Sequence, residues 1–305
     1  MKVYSPLVNW LTSPMEMAWF FMQNQWECVL IMFAALVLVP KGLVLLGLTQ
    51  NRKYLVATLG FCASYLLDTP GLGFSDAFAL PYLLLATWLT LREATELFTV
   101  AKIQLLDLVR VFALGYWATG AFWAFCFLAG FQPIGFDPVI VSLTAAHFHV
   151  AGFTLAVVVW CLFKQNYSSV NRLLAWGVLA GMPLVAMGIT LSKLGFPSWI
   201  ESLSGMAFAI VALTTAFQHI RLFSNENLVK KARLDWLIGS ICLLVGASLA
   251  ALYAMRFEFP IEIINIPNMK IWHGTLNALG FGWFVLNGWT RWNAALNVIV
   301  NAKWL

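Results

Sequence analysis

Residues 138–163 read PVIVSLTAAHFHVAGFTLAVVVWCLF, a run of 26 residues whose only ionisable groups are two histidines and one cysteine. A helix of that length is about 39 Å long, which exceeds the roughly 30 Å hydrocarbon core of a bilayer. Helices and closed barrels are the structures that cross a bilayer, because every backbone polar group there must be bonded internally. The stretch therefore predicts a membrane-spanning helix.

The rest of the chain repeats this pattern. Its residues are 61% hydrophobic and only 10% charged, whereas soluble domains are about 25% charged. Further apolar segments lie near residues 26–48, 54–68, 77–92, 109–131, 173–195, 199–221, 234–256 and 269–290. The second and third segments of the chain are short and flank residues 68–73, which suit a turn or a re-entrant dip. The predicted fold is an all-α, polytopic transmembrane bundle of about nine spans.

Basic residues in the predicted loops indicate the orientation. Thirteen of the eighteen Lys and Arg residues fall on one side, four on the other, and Lys41 lies inside the first span. Cytoplasmic loops carry the excess of basic residues, so we expect the N-terminus outside and the C-terminus in the cytoplasm. The net charge of +5 is explained by these loops, and no nucleic-acid partner is expected.

The same pattern predicts the domain organisation. Residues 1–25 mix tryptophan and phenylalanine with polar residues, which indicates an interfacial segment. Residues 26–292 form a single transmembrane domain, and residues 293–305 form a cytoplasmic tail.

Two histidines lie about midway along the fifth segment, His147 and His149. Ionisable groups at this depth are costly and mark functional sites. Residues i and i+2 of a regular helix point about 200° apart, so one metal ion cannot bind both unless the helix is broken. In a regular helix His147 shares a face with Thr144, Ala151 and Thr154.

The ninth segment begins with a second polar stripe. His273 and Asn277 are spaced i and i+4, so the amide can orient the ring. Glu201 begins the seventh segment, where it is either a functional acid or a carboxylate that complements the helix dipole. We predict that His147, His149, His273, Asn277 and Glu201 are catalytic residues of one cavity open to the extracytoplasmic half of the membrane. Lys41 either snorkels or pairs with an acid.

Four motifs resemble those of a known family: HFHxAGF at 147–153, HGxxNAxGF at 273–281, LVP at 38–40 and ALPYLL at 79–84. Together they are similar to the YndJ-like family of bacterial multi-pass membrane proteins. The resemblance implies a polytopic bundle with paired histidine motifs in the bacterial inner (cytoplasmic) membrane. It implies no particular activity.

Three function classes suit these residues. The first is an enzyme that uses histidine, with or without Glu201, for acid–base isomerisation, cyclisation or hydrolysis of an isoprenoid, polyketide or lipid. It needs no cofactor or metal, and its partners are membrane lipid and a hydrophobic substrate. The second is a proton-coupled transporter, since buried histidines and acids form proton relays. The third is a haem or metal protein, with ligands drawn from His147, His149 and His273.

Overall fold

In the computed structural model, residues 25–48, 52–67, 74–225 and 228–302 are described, with side chains through residue 296. Every regular element in these ranges is helical. The predicted interfacial segment, apart from residue 25, and the proposed dip at 68–73 lie outside them. Nine long helices run through the described chain: α1 Gln25–Leu45, α2 Arg52–Leu67, α3 Leu80–Leu97, α4 Leu105–Leu128, α5 Pro138–Gln165, α6 Ser169–Lys193, α7 Trp199–Phe223, α8 Lys230–Ala254 and α9 266–302.

The predicted all-α membrane bundle is confirmed. Six of the described helices, α1 and α4 to α8, are long and apolar enough to span a bilayer. At 16 residues, α2 is about 24 Å long, which is shorter than the roughly 30 Å hydrocarbon core. The count of nine spans and the orientation stay predictions. The cytoplasmic tail was expected to begin at residue 293, but helix α9 continues to Ala302.

Helix α5 lies at the centre of the bundle. Its span is 83% buried inside the protein, against 50% or less for the other five spanning helices. The other eight helices surround it in the order α1, α2, α3, α4, α6, α7, α8, α9. The ring closes where the Tyr54 hydroxyl of α2 donates to the Ala35 carbonyl of α1 at 2.6 Å. Neighbouring helices, rather than lipid, therefore surround most of the histidine-bearing helix.

Three helices contain π-helical segments, and these segments pack against one another: Ala34–Leu38 in α1, Phe148–Thr154 in α5 and Leu276–Gly282 in α9. In α1 the segment directly precedes Pro40, whose missing N–H and bulky ring oppose a regular helix. Glycine allows the close approach elsewhere, since a Cβ on Gly282 would lie 2.9 Å from Leu38 Cδ1. Short π segments inside α-helices occur frequently at functional sites.

A proline in α6 shows how the bundle satisfies exposed backbone groups. Pro183 has no N–H to donate, which leaves the carbonyl four residues earlier, at Leu179, without its helical partner. The Tyr116 hydroxyl of α4 lies 2.7 Å from that carbonyl and 2.9 Å from the Val178 carbonyl. Such neighbours are what make proline tolerable in a spanning helix.

Candidate active site

The structure brings together two of the predicted site residues from distant parts of the chain. His147 of α5 and His273 of α9 have ring centroids 5.9 Å apart, with the ring planes inclined by 27°. The His147 side chain is exposed, and His273 is partly exposed. The two rings therefore form an accessible pair between α5 and α9, and the space beside them is called the histidine crevice below.

Hydrogen bonds determine which nitrogen of each ring carries its proton. His147 Nδ1 lies 2.7 Å from the Leu143 carbonyl, and His273 Nδ1 lies 2.8 Å from the Gly246 carbonyl. Because a carbonyl only accepts, each Nδ1 must donate, and Nε2 is the basic nitrogen of both neutral rings. No described residue is hydrogen-bonded to Nε2 of His147, which leaves this atom available to a substrate.

Asn277 lies against the His273 ring, as the i, i+4 spacing predicts. Its Nδ2 is 3.2 Å from Nε2 and 3.0 Å from Nδ1 of that ring. Nδ1 of His273 carries a proton, because it donates to the Gly246 carbonyl. The Asn277 amide therefore donates to Nε2, which has the free lone pair. A Cβ on Gly246 would lie 2.7 Å from Asn277 Oδ1, so glycine at this position makes room for the amide. Asn277 and Gly246 together orient His273.

His149 points to the opposite side of α5 and is fully buried. Its Nδ1 donates to the Ala145 carbonyl at 2.8 Å, and its Nε2 accepts from the Tyr82 hydroxyl at 3.2 Å. Thr154, which a regular helix would place on the face of His147, is fully buried, and its hydroxyl donates to the His149 carbonyl at 3.1 Å. His149 therefore joins α5 to α3 and does not meet the His147–His273 pair.

Replacing Gly120 by alanine is expected to lower the free energy of unfolding by about 1–3 kcal/mol, the usual cost of overpacking a core. The new Cβ would lie 2.6 Å from His149 Nδ1, and the two hydrogen bonds of that ring prevent it from moving aside. Gly115→Ala is the matched control on α4, because its Cβ would meet nothing closer than 3.8 Å. Denaturation in detergent should show unchanged or slightly raised stability for the control. Equal stability of the two variants would contradict the close packing.

Glu201 forms an ion pair on another part of the bundle. Its Oε1 lies 2.5 Å from the Arg256 guanidinium, at the point where the end of α8 meets the start of α7. The next residue, Ser202, donates to Glu258 at 3.1 Å. No described contact joins Glu201 to the histidines. The structure therefore places this predicted acid in a separate, charge-paired setting.

One polar pair near the histidines was missed from the sequence. Lys270 Nζ of α9 lies 2.9 Å from Glu27 Oε2 of α1, and the two side chains are only 4% and 5% exposed. Ser142 of α5 donates to Glu27 at 3.5 Å. Both charged residues lie at the edges of predicted spans, at similar predicted depth and with opposite charge. This arrangement was the feature of the sequence that could have indicated the pair. The pair joins the three helices that also carry the π segments.

Apolar side chains close the opposite side of the histidine pair. Ala34 and Leu38 of α1, Phe153 of α5 and Phe281 of α9 are 0–2% exposed. They belong to the three π segments. Beyond them, α5 is buried on all sides from Leu155 to Phe163. A buried apolar layer therefore separates the histidine pair from the part of α5 beyond it.

The donor atoms suit acid–base chemistry better than a metal centre. In the described ranges, no three His, Cys, Asp or Glu side chains cluster closely enough to hold a metal ion. Within the pair, Nε2 of His147 is free, but Nε2 of His273 accepts from Asn277. Ligation by both rings therefore requires Asn277 to move.

Comparison with known proteins identifies the family. Residues 29–281 match the family model described as YndJ-like protein. The chain is 28% identical over 182 residues to the uncharacterized membrane protein YndJ of Bacillus subtilis (strain 168). That alignment covers 59% of this chain and 32% of the relative, so the chain spans about a third of the relative's length. No solved structure matches. With most of its length matched by the family model, the chain belongs to the YndJ-like protein family.

Proposed function

We propose that this protein is an intramembrane enzyme that uses His147 for acid–base chemistry on a lipophilic substrate, with His273 beside it as a positioning residue. We place it in the bacterial inner (cytoplasmic) membrane, with the histidine crevice open toward the extracytoplasmic side. The observation that carries the proposal is the accessible histidine pair, 5.9 Å between ring centroids, in the core of the bundle. The reaction is isomerisation, cyclisation or hydrolysis.

The tautomers assign the roles. His147 Nε2 takes a proton from the substrate or from an attacking water, which makes the ring an imidazolium whose Nδ1 still donates to Leu143. In an isomerisation or cyclisation the same nitrogen returns the proton to a second atom of the substrate. His273, oriented by Gly246 and Asn277, lies beside the site of proton transfer. Histidine suits this role because its unperturbed pKa is near 6.5.

The buried apolar layer favours an enzyme over a transporter. A transporter must open its site to both sides in turn, whereas buried apolar side chains of the three π segments close one side of this crevice. One observation supports transport as a second candidate. On the far side of that apolar layer, Lys41 of α1 donates to Asn287 of α9 at 2.7 Å, so polar groups continue along the same two helices.

The proposal is tested by isotope incorporation. The protein is reconstituted in nanodiscs with a total bacterial lipid extract, in D2O or in water enriched in ¹⁸O, and the lipids are analysed by mass spectrometry. Isomerisation or cyclisation introduces deuterium and hydrolysis introduces ¹⁸O. We expect incorporation to fall at least about 100-fold in His147→Ala, since positioned acid–base groups contribute factors of this size.

Two outcomes contradict the enzyme. Absence of incorporation above the His147→Ala background, together with histidine-dependent proton flux in proteoliposomes, would establish the transporter instead. A visible Soret band, or a stoichiometric metal in elemental analysis of the purified protein, would establish the haem or metal alternative.

A further inference from the structure

A second site lies on the lipid-facing surface between α1 and α9, beyond the apolar layer. Lys41, which lies inside the first predicted span, is partly buried there. Its ammonium donates to Asn287 at 2.7 Å and lies 4.9 Å from the centroid of the Trp283 ring. No other hydrogen bond to this ammonium involves a side chain in the described ranges.

A second cation extends this site along α9. Arg291 is one turn beyond Asn287, and its side chain is 48% exposed. One of its terminal nitrogens pairs with Asp235 of α8, which is only 9% exposed. Both Arg291 and Asp235 lie near enough to Lys41 to interact with it electrostatically. Two cations and one acid give the cluster a net positive charge.

An apolar surface continues from these cations toward the middle of the bundle. Both helices run in the same direction here, so Phe33 and Trp283 lie nearer the centre of the membrane than Lys41 and Arg291. The Phe33 and Trp283 rings are in contact, with centroids 6.2 Å apart, and Trp283 is 38% exposed. On α1, Leu36 lies on the same side of Lys41 as Phe33 and is 44% exposed. The groove is therefore cationic at one end and apolar along its length.

We propose that this groove binds an anionic phospholipid, with its phosphate on Lys41 and Arg291 and an acyl chain along Trp283 and Phe33. Charge complementarity identifies the ligand, because a zwitterionic lipid carries its own cation and gains less from a net positive site. Basic pockets between spanning helices on the cytoplasmic side are typical binding sites for anionic head groups. By the predicted orientation, this end of α1 and α9 faces the cytoplasm.

Native mass spectrometry of the detergent-purified full chain, titrated with phosphatidylglycerol or phosphatidylcholine, tests the proposal. Wild-type protein should retain phosphatidylglycerol in preference to phosphatidylcholine. Lys41→Gln should weaken phosphatidylglycerol binding about fivefold, since a basic residue near an anionic surface contributes a factor of this size. Lys41→Arg, which keeps the charge, should restore binding and also controls for folding.

The matched control is Lys102→Gln, which removes an exposed cation in the loop between α3 and α4, away from this groove. It should leave the affinity unchanged. Equal retention of the two lipids by wild type, or an equal effect of the two glutamine variants, would overturn the site. Displacement of the lipid by millimolar inorganic phosphate would also overturn it, because a free anion would then be the ligand.

Discussion

Replacing Lys270 by methionine is expected to lower the free energy of unfolding by about 3–5 kcal/mol, the usual cost of leaving one charge of a buried pair without its partner. Glu27 is 5% exposed and has Lys270 at 2.9 Å, with Ser142 as a weaker donor at 3.5 Å. Methionine fills a similar volume, so lost packing contributes little. Titration with a denaturing detergent, followed by tryptophan fluorescence, measures the change.

Two further variants separate charge from packing in this experiment. The double variant Glu27→Gln/Lys270→Met should recover most of the lost stability, because it removes both buried charges. Lys193→Met is the matched control, since Lys193 is an exposed cation over the Phe136 ring, 5.0 Å from its centroid. We expect it to cost about 1 kcal/mol or less. A change of under about 1 kcal/mol in Lys270→Met would contradict a structural role for the pair.

Glutamine at His147 is expected to lower isotope incorporation by about 10²–10⁴-fold, the range for loss of a general acid–base group. Stability should change little, because the side chain is exposed and its basic nitrogen has no hydrogen bond from a described residue. The same substitution at His149 should have the reverse effect. That ring is fully buried and accepts from Tyr82, so we expect a loss of about 1–3 kcal/mol in stability.

The two variants can be compared directly, because the residues are two positions apart on one helix. Both assays are run on each variant, and turnover of His149→Gln is normalised to the fraction of folded protein. Equal loss of turnover per folded molecule in both variants would contradict the assignment of His147 as the proton-transfer residue. Unchanged turnover in His147→Gln would contradict the proposed reaction itself.

The sequence alone determined the class of fold and the approximate position of each helix. Apolar length and internally bonded backbone are properties of a single segment, so residues 138–163 predict a spanning helix without reference to the rest of the chain. Local spacing was equally informative in α9, where His273 and Asn277 at i and i+4 do contact each other. The family was also indicated at this stage, by the two histidine motifs.

Only the tertiary structure decided which polar groups meet. The spacing of His147 and His149 already directs the two rings to opposite sides of α5. Only the packing of neighbouring helices decides that His147 meets His273 of α9 and that His149 meets Tyr82 of α3. Glu201 is paired because the end of α8 meets the start of α7, and Glu27 is paired because α1 lies beside α9. These contacts join residues 55 and more positions apart. Helix order and rotation in the bundle are not encoded in the hydropathy of any one segment.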